Sequence, residues 1–300
     1  MAKYLDLRVD KVFKAVFAQR AHKSSLIDLL NDLLPELNIR DLTYIRGEMQ
    51  GYCFDSKSSR FDLCCELDDG TEVTIEMQVG TQKFFKDRAV YYASLPILEE
   101  IKAGENYRLT PRYLISFLNF KLDHENESEW KNRVMSSYSL IEPVSGEKLS
   151  EAINLVFVEL DRFRKGIDEL DNDRERWFYV MKHIAQMEER PAEFSDRKFK
   201  RIFKVAEYES LPEQAKTEYD KVMTTERDRR NQMAYAIEVA TQKGERKGLA
   251  KGRAEGHTEG LAEGSKEATL KIAKNMKAAG IAPEIIASTT GLSEEEISNL

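Results

Sequence analysis

The stretch "RFDLCCELDDGTEVTIEMQ", residues 60–78, decides the fold. Two runs of alternating apolar and polar residues flank Asp68, Asp69 and Gly70, the pattern of a β-hairpin. A three-residue turn with Gly70 in the left-handed conformation sets Leu67 against Thr71. Counting back, Cys65 meets Val73, Leu63 meets Ile75 and Phe61 meets Met77. These form a core face, because side chains alternate along a strand. The other face pairs Cys64 with Thr74, Asp62 with Glu76 and Arg60 with Gln78. Directly opposed residues hold their Cβ atoms about 5 Å apart, and like charges so placed destabilise a sheet. The Asp62–Glu76 pair therefore calls for compensation by a shared proton, by Arg60 or by a divalent cation. Two converging carboxylates suit oxygen-seeking Mg²⁺ or Mn²⁺ best. The plain alternative is a solvated outer face, where acids are common. A two- or four-residue turn would shift the pairing by one and leave Asp62 diagonal to Glu76.

Around the hairpin the pattern is regular. Apolar residues at Val12, Phe13, Val16, Phe17, Leu26, Leu29, Leu30 and Leu33 have helical spacing over 10–34, with Asp10 as a candidate N-cap and Pro35 as the stop. Residues 41–54 read as a strand, 81–107 as a helix, and "RYLISFLNFKL" (112–122) as a buried strand. The order helix, three strands, helix, strand gives a mixed α/β core, expected over 1–125. Residues 149–163 are compatible with either a helix or a strand, and 126–242 is expected to be a mostly helical extension.

From Gly244 to Gly264 a glycine recurs every fourth residue. Each costs a helix about 1 kcal/mol relative to alanine, so 243–266 is either a linker or a helix approached closely by another helix, which suggests a homodimer. Residues 267–300 resolve into helices broken at Gly280 and Gly291, with Ser293 ahead of Glu294 to Glu296 as a capped, acidic first turn. That is helix-turn-helix spacing, open to a DNA reader or to a packing and partner-binding appendage.

Bulk properties narrow the class. A chain of 300 residues, 41% hydrophobic and 33% charged, buries an ordinary core, and no apolar run approaches a membrane span. The N-terminus lacks the apolar stretch of a secretory signal, so a cytoplasmic protein is expected. Three cysteines, two of them adjacent, offer no metal-binding spacing, and the four histidines are scattered. The net charge of -7 speaks against nucleic-acid binding through bulk charge, leaving local basic stretches such as 196–204 as phosphate contacts or solvated helix faces.

Asp62 on one strand, with Glu76 and Gln78 on the next, resembles the PD-(D/E)XK nuclease superfamily. Together "DKVFKAVF" (10–17), the opening hairpin, "DRAVYYASLPILEE" (87–100) and "GENYRLTPRYLISFLNF" (104–120) are similar to the recombination-promoting nuclease (Rpn) family, associated with transposition. The resemblance implies a restriction-endonuclease-like core and a metal-dependent DNA endonuclease. Asp62, Glu76 and the backbone carbonyl of Met77 would hold Mg²⁺ or Mn²⁺. The superfamily's third site residue is usually Lys; Gln78 stands there, able to orient water or substrate but not to act as a base. Asp10 would be either a further acidic site residue or only a helix cap, and Lys14 either supplies positive charge or is a surface lysine. Arg88 and Tyr92, four apart on a helix, either hold phosphate or a base, or Tyr91 and Tyr92 straddle the core boundary while Arg88 pairs with an acid. The competing function is a catalytically weak or inactive relative that acts by binding DNA or protein.

Overall fold

Gly70 adopts a φ of +85°, and its N–H donates to the Leu67 carbonyl at 3.0 Å. In this computed structural model, which describes residues 2–46, 63–100 and 106–300, the turn therefore has the expected three-residue form. The register follows: Leu63 pairs with Ile75, Cys64 with Thr74 and Cys65 with Val73. Asp62, Arg60 and Phe61 lie outside the described residues, as does Cys53.

Helix α1 (Asp10–Phe17) and helix α2 (Lys23–Leu33) precede strand β1 (Leu42–Arg46). The hairpin strands are β2 (Leu63–Leu67) and β3 (Glu72–Gln78), followed by α3 (Phe85–Glu100) and β4 (Arg112–Leu118). The single helix expected over 10–34 is thus two. No strongly apolar residue separates Phe17 from Leu26, so nothing there rewards a continuous buried face, and Gln19 turns extended at φ -101° and ψ 135°.

The chain then adds a short helix α4 (Glu127–Trp130) and two strands, β5 (Met135–Ile141) and β6 (Lys148–Glu159). The helical extension expected over 126–242 thus also contributes two strands to the core sheet, and 149–163 is mainly strand. β6 is an interior strand with a continuous buried run from Asn154 to Glu159. β5 is a serine-rich edge strand paired on one side, and its composition reads as loop. The sheet order is β1-β2-β3-β4-β6-β5, antiparallel at both edges and parallel through β3, β4 and β6. A parallel pair needs a long crossover, and α3 supplies it between β3 and β4.

Both faces are covered. Ile75, Met77, Ile115, Phe117, Val156 and Val158 share one core with α1 and α2 and with two later helices, α5 (Asp173–His183) and α6 (Arg197–Val205). Leu114, Leu118, Leu155 and Phe157, on the opposite face, pack under Phe85 and Ala89 of α3. In α6, Lys198 pairs with Asp32 and Asp173 at 2.6 Å each and Arg201 with Asp28 at 3.3 Å, so part of the basic stretch 196–204 is engaged internally. Burial holds the Cys65 thiol up to about 12, consistent with a structural, unreactive cysteine.

Helix α7 (Glu213–Ala278) runs through the whole glycine repeat, which decides between linker and helix in favour of the helix. The chain forms two units, the first ending at Glu226 and the second running from Arg227 to Leu300. In the second, α8 (Pro283–Thr290) and α9 (Glu294–Ser298) close a small core of Ala273, Ile286 and Ile297 with the end of α7. Gly280 and Gly291 take positive φ, and Ser293 with Glu296 forms a capping box, as the sequence predicts. Among the described residues no helix is long and apolar enough to cross a membrane.

The turn gives a stability test. No atom lies within 4 Å of a Cβ built on Gly70, so a Gly70→Ala change meets only backbone strain, expected to cost about 1 kcal/mol. Gly70→Asn, better suited to the left-handed region, should cost clearly less. Urea unfolding of the three proteins measures the difference; equal losses would contradict the left-handed turn.

Candidate active site

β3 presents Glu76 and Gln78 on the face covered by α3. Glu76 is 5% exposed, which overturns the solvated-face alternative for this residue. A buried carboxylate is stable only with hydrogen bonds or charge partners. Gln78 Nε2 donates to Glu76 Oε2 at 3.1 Å, and Gln78 Oε1 accepts from Gln82 Nε2 at 3.1 Å. The Gln78 amide is thereby fixed in one orientation between two partners. In the parallel register Glu76 lies beside Ser116, which is fully buried and whose Oγ has no hydrogen-bond partner among the described residues. Two polar side chains therefore sit side by side on the face that Leu114, Leu118, Leu155 and Phe157 share with α3.

The strand ends converge here. Gln78 is in register with Leu118, and Leu118 with Glu159, so three parallel strands finish together. In sheets of this kind ligands bind beyond the carboxyl ends of the strands. Asn119 ties the first helix to this end. Its N–H donates to the Gln78 carbonyl at 3.0 Å, and its side-chain amide donates to the Arg8 carbonyl at 2.9 Å. The chain enters α1 two residues later. Sequence reasoning missed Asn119 and Gln82; the polar Asn within "FLNF", at the end of an apolar run, was the available signal for the first.

Asp10 and Lys14 come from the α1 side of the sheet, opposite to Glu76. Asp10 is the first helical residue, and Val9, without a side-chain cap, holds the N-cap position. The cap role expected for Asp10 is therefore corrected. Lys14 is no surface lysine: its side chain is 8% exposed, and Nζ lies 3.6 Å from Asp10 Oδ1. A burial of this degree requires compensation for the ammonium, and Asp10 is one source. A cleft of about 380 Å³ opens beside Asp10, and the first turns of α7 form its other wall through Glu218, Lys221 and Thr225. On α3 the Arg88 guanidinium stacks over the Tyr92 ring at 4.9 Å.

The structure thus joins Glu76 with Gln78, Asp10 with Lys14, and Arg88 with Tyr92. Asp62 and Arg60 lie outside the described residues. Among the described residues no group of three or more His, Cys, Asp or Glu side chains could hold a metal. The Glu76 carboxylate is a hard oxygen donor, suited to Mg²⁺ or Mn²⁺ rather than to zinc.

Residues 7–236 match the model of the PD-(D/E)XK nuclease family transposases. The chain belongs to that family. Residues 266–300 match the C-terminal helix-turn-helix domain of the Rpn/YhgA-like nuclease family, consistent with α8 and α9. Neither the curated proteins nor the solved structures gave a match. The nuclease-family match spans the sheet, α1 to α6 and the start of α7, so β5 and β6 belong to the matched region.

The Glu76–Gln78 contact makes a pH-dependent prediction. Gln78→Glu would set a second carboxylate about 3 Å from the first, raising the pKa of the pair. A raised folded-state pKa means that the folded protein binds protons more readily, so the penalty is present at neutral pH and shrinks as pH falls through the raised value. The variant should lose about 1–3 kcal/mol at pH 7 and recover part of this at pH 5. Urea midpoints at the two pH values test it; a pH-independent loss would refute the contact.

Proposed function

We propose that the chain is a DNA endonuclease that hydrolyses phosphodiester bonds with Mg²⁺ or Mn²⁺ held by Asp62, Glu76 and the main-chain carbonyl of Met77. The observation that carries this reading is Glu76, a buried carboxylate oriented by Gln78 at the carboxyl end of β3 in a chain of the PD-(D/E)XK nuclease family. A divalent cation bound there would polarise the scissile phosphate and make an attacking water more acidic.

The protein's own groups divide the remaining work. Gln78 keeps one Glu76 oxygen in place with its amide and has no proton to exchange near neutral pH. Lys14 and Asp10, paired with each other on α1, would add a buried cation and a carboxylate from the other face of the sheet. Arg60, together with Arg88 stacked on Tyr92, offers positive charge and a ring face for phosphate and base. The C-terminal helix-turn-helix domain would supply a further DNA contact, and two copies would supply the two sites that breaking a duplex requires. The family name and this chemistry together support a role in recombination or transposition.

One observation favours a second reading. Gln78 takes the place usually held by lysine, and its amide is committed to Glu76 and Gln82, so no cationic group comes from this position. A weakly active or inactive family member that works by binding DNA or protein would show this arrangement.

A plasmid-nicking assay with Mg²⁺, Mn²⁺ or chelator separates the readings. The wild type should nick supercoiled DNA only with metal, and Asp62→Ala and Glu76→Ala should each lower the rate on the order of 100-fold or more. Wild-type protein that retains a DNA fragment in a gel-shift assay yet shows no metal-dependent nicking would replace the enzyme with the binding reading.

A further inference from the structure

Every residue from Asn231 to Ala268 is exposed, within one uninterrupted helix. Helices in proteins gain most of their stability from packing an apolar face, and this stretch packs against nothing in its own unit. Its six glycines cost about 1 kcal/mol each relative to alanine. No atom comes within 4 Å of a Cβ built on any of Gly244, Gly248, Gly252, Gly256, Gly260 and Gly264.

The residue before each glycine carries a second pattern. Lys243, Lys247 and Lys251 are followed by Glu255, Glu259 and Glu263, so one row along the helix is basic in its first half and acidic in its second. The row beyond the glycines carries Leu249 and Leu261, which are 59% and 62% exposed. Within the helix this order yields a single exposed contact between the halves, Lys251 to Glu255 at 3.6 Å. The complement of such a row is the same row reversed.

We infer that this helix pairs antiparallel with the same helix of a second copy, about a two-fold axis passing near Gly252 and Gly256. Such an axis keeps like rows together. The lysine half of each copy faces the glutamate half of the other on one side of the glycine row, and Leu249 meets Leu261 on the other side. A four-residue row drifts about 40° per step around a helix of 3.6 residues per turn. The two helices therefore cross at about 50°, in the packing class where i±4 rows interdigitate, and touch closely over about two turns on either side of the axis. Glycines at the crossing let the backbones approach. A parallel pair in register would set Lys against Lys and Glu against Glu. A parallel pair staggered by three repeats would match charges but leave ends open to further copies, whereas the antiparallel pair closes.

This inference rests on the two-copy reading above and fixes the surface that joins the copies. It is tested on the full chain without metal or DNA, so its failure leaves the metal-site reading standing. Light scattering after size-exclusion chromatography should find the wild type dimeric at about 50 µM. Exposed charge pairs contribute about 0.2–1 kcal/mol each, so reversing several at once in Lys247→Glu/Lys251→Glu, or in Glu255→Lys/Glu259→Lys, should weaken the dimer at least about tenfold. Mixing the two variants should restore it, because in the mixed antiparallel pair every charge of one row, reversed or retained, again meets its opposite on the other. Circular dichroism confirms that each variant is folded. A monomeric wild type, a mass that climbs past two chains with concentration, variants as dimeric as the wild type, or a mixture that stays monomeric would each overturn the inference.

Discussion

The parallel pairing of β3 with β4 is the constraint from which the rest of the nuclease unit follows. Antiparallel neighbours need only a turn, but a parallel neighbour forces the chain to return across a face of the sheet. The return here is α3, which seals the face carrying Glu76 with Phe85 and Ala89. Without that crossover Glu76 would be an ordinary solvated acid on a hairpin. With it, the carboxylate is placed in a low-dielectric layer where each charge or dipole near it acts strongly. The same pairing brings the ends of β3, β4 and β6 level, so that Asn119 can hold the Gln78 carbonyl with its backbone and the Arg8 carbonyl with its side chain. One register thus fixes both the burial of the acid and the approach of α1.

What the sequence discloses depends on how local the determining interaction is. Gly70 and the two-residue alternation around it specify the hairpin register locally, and that register is observed from the Leu63–Ile75 pair to the Glu66–Glu72 pair. The apolar run of β4 likewise announces a strand buried on both faces. The break after Phe17 was legible only as an absence of apolar residues. β5 was not legible, because an edge strand such as "MSSYSLI" owes its conformation to pairing with β6. At the site, Glu76 and Gln78 could be placed together from the alternation alone. The burial of Lys14 and the link through Asn119 depend on elements far apart in sequence.

The helical state of the glycine repeat is also beyond local reading. Propensity alone argues against it, since glycine is among the poorest helix formers. A regular four-residue spacing, however, is not what a flexible linker needs, because a linker is indifferent to the order of its residues. Periodic order in charge and in small residues has physical meaning only when the backbone is regular and something lies along it.

Two glutamates on the same sheet face show how differently a buried carboxylate can be used. Glu159, 1% exposed, accepts from Arg162 Nε at 2.6 Å and from the Leu122 N–H at 2.7 Å, and its other oxygen lies 3.1 Å from His124 Nε2. Arg162 continues to Glu127 at 2.6 Å and to the Leu122 carbonyl at 2.8 Å, locking the segment after β4 onto the end of the sheet. A carboxylate so enclosed has its lone pairs directed at fixed donors and is a structural anchor. At Glu76 the amide of Gln78 orients one oxygen without bringing a charge of its own. A lysine at that position would form an ion pair with Glu76 and compete with any cation for the same oxygen. The exchange of Lys for Gln therefore removes a candidate base, and it would preserve, at Glu76, the electrostatic attraction that the proposed metal binding needs.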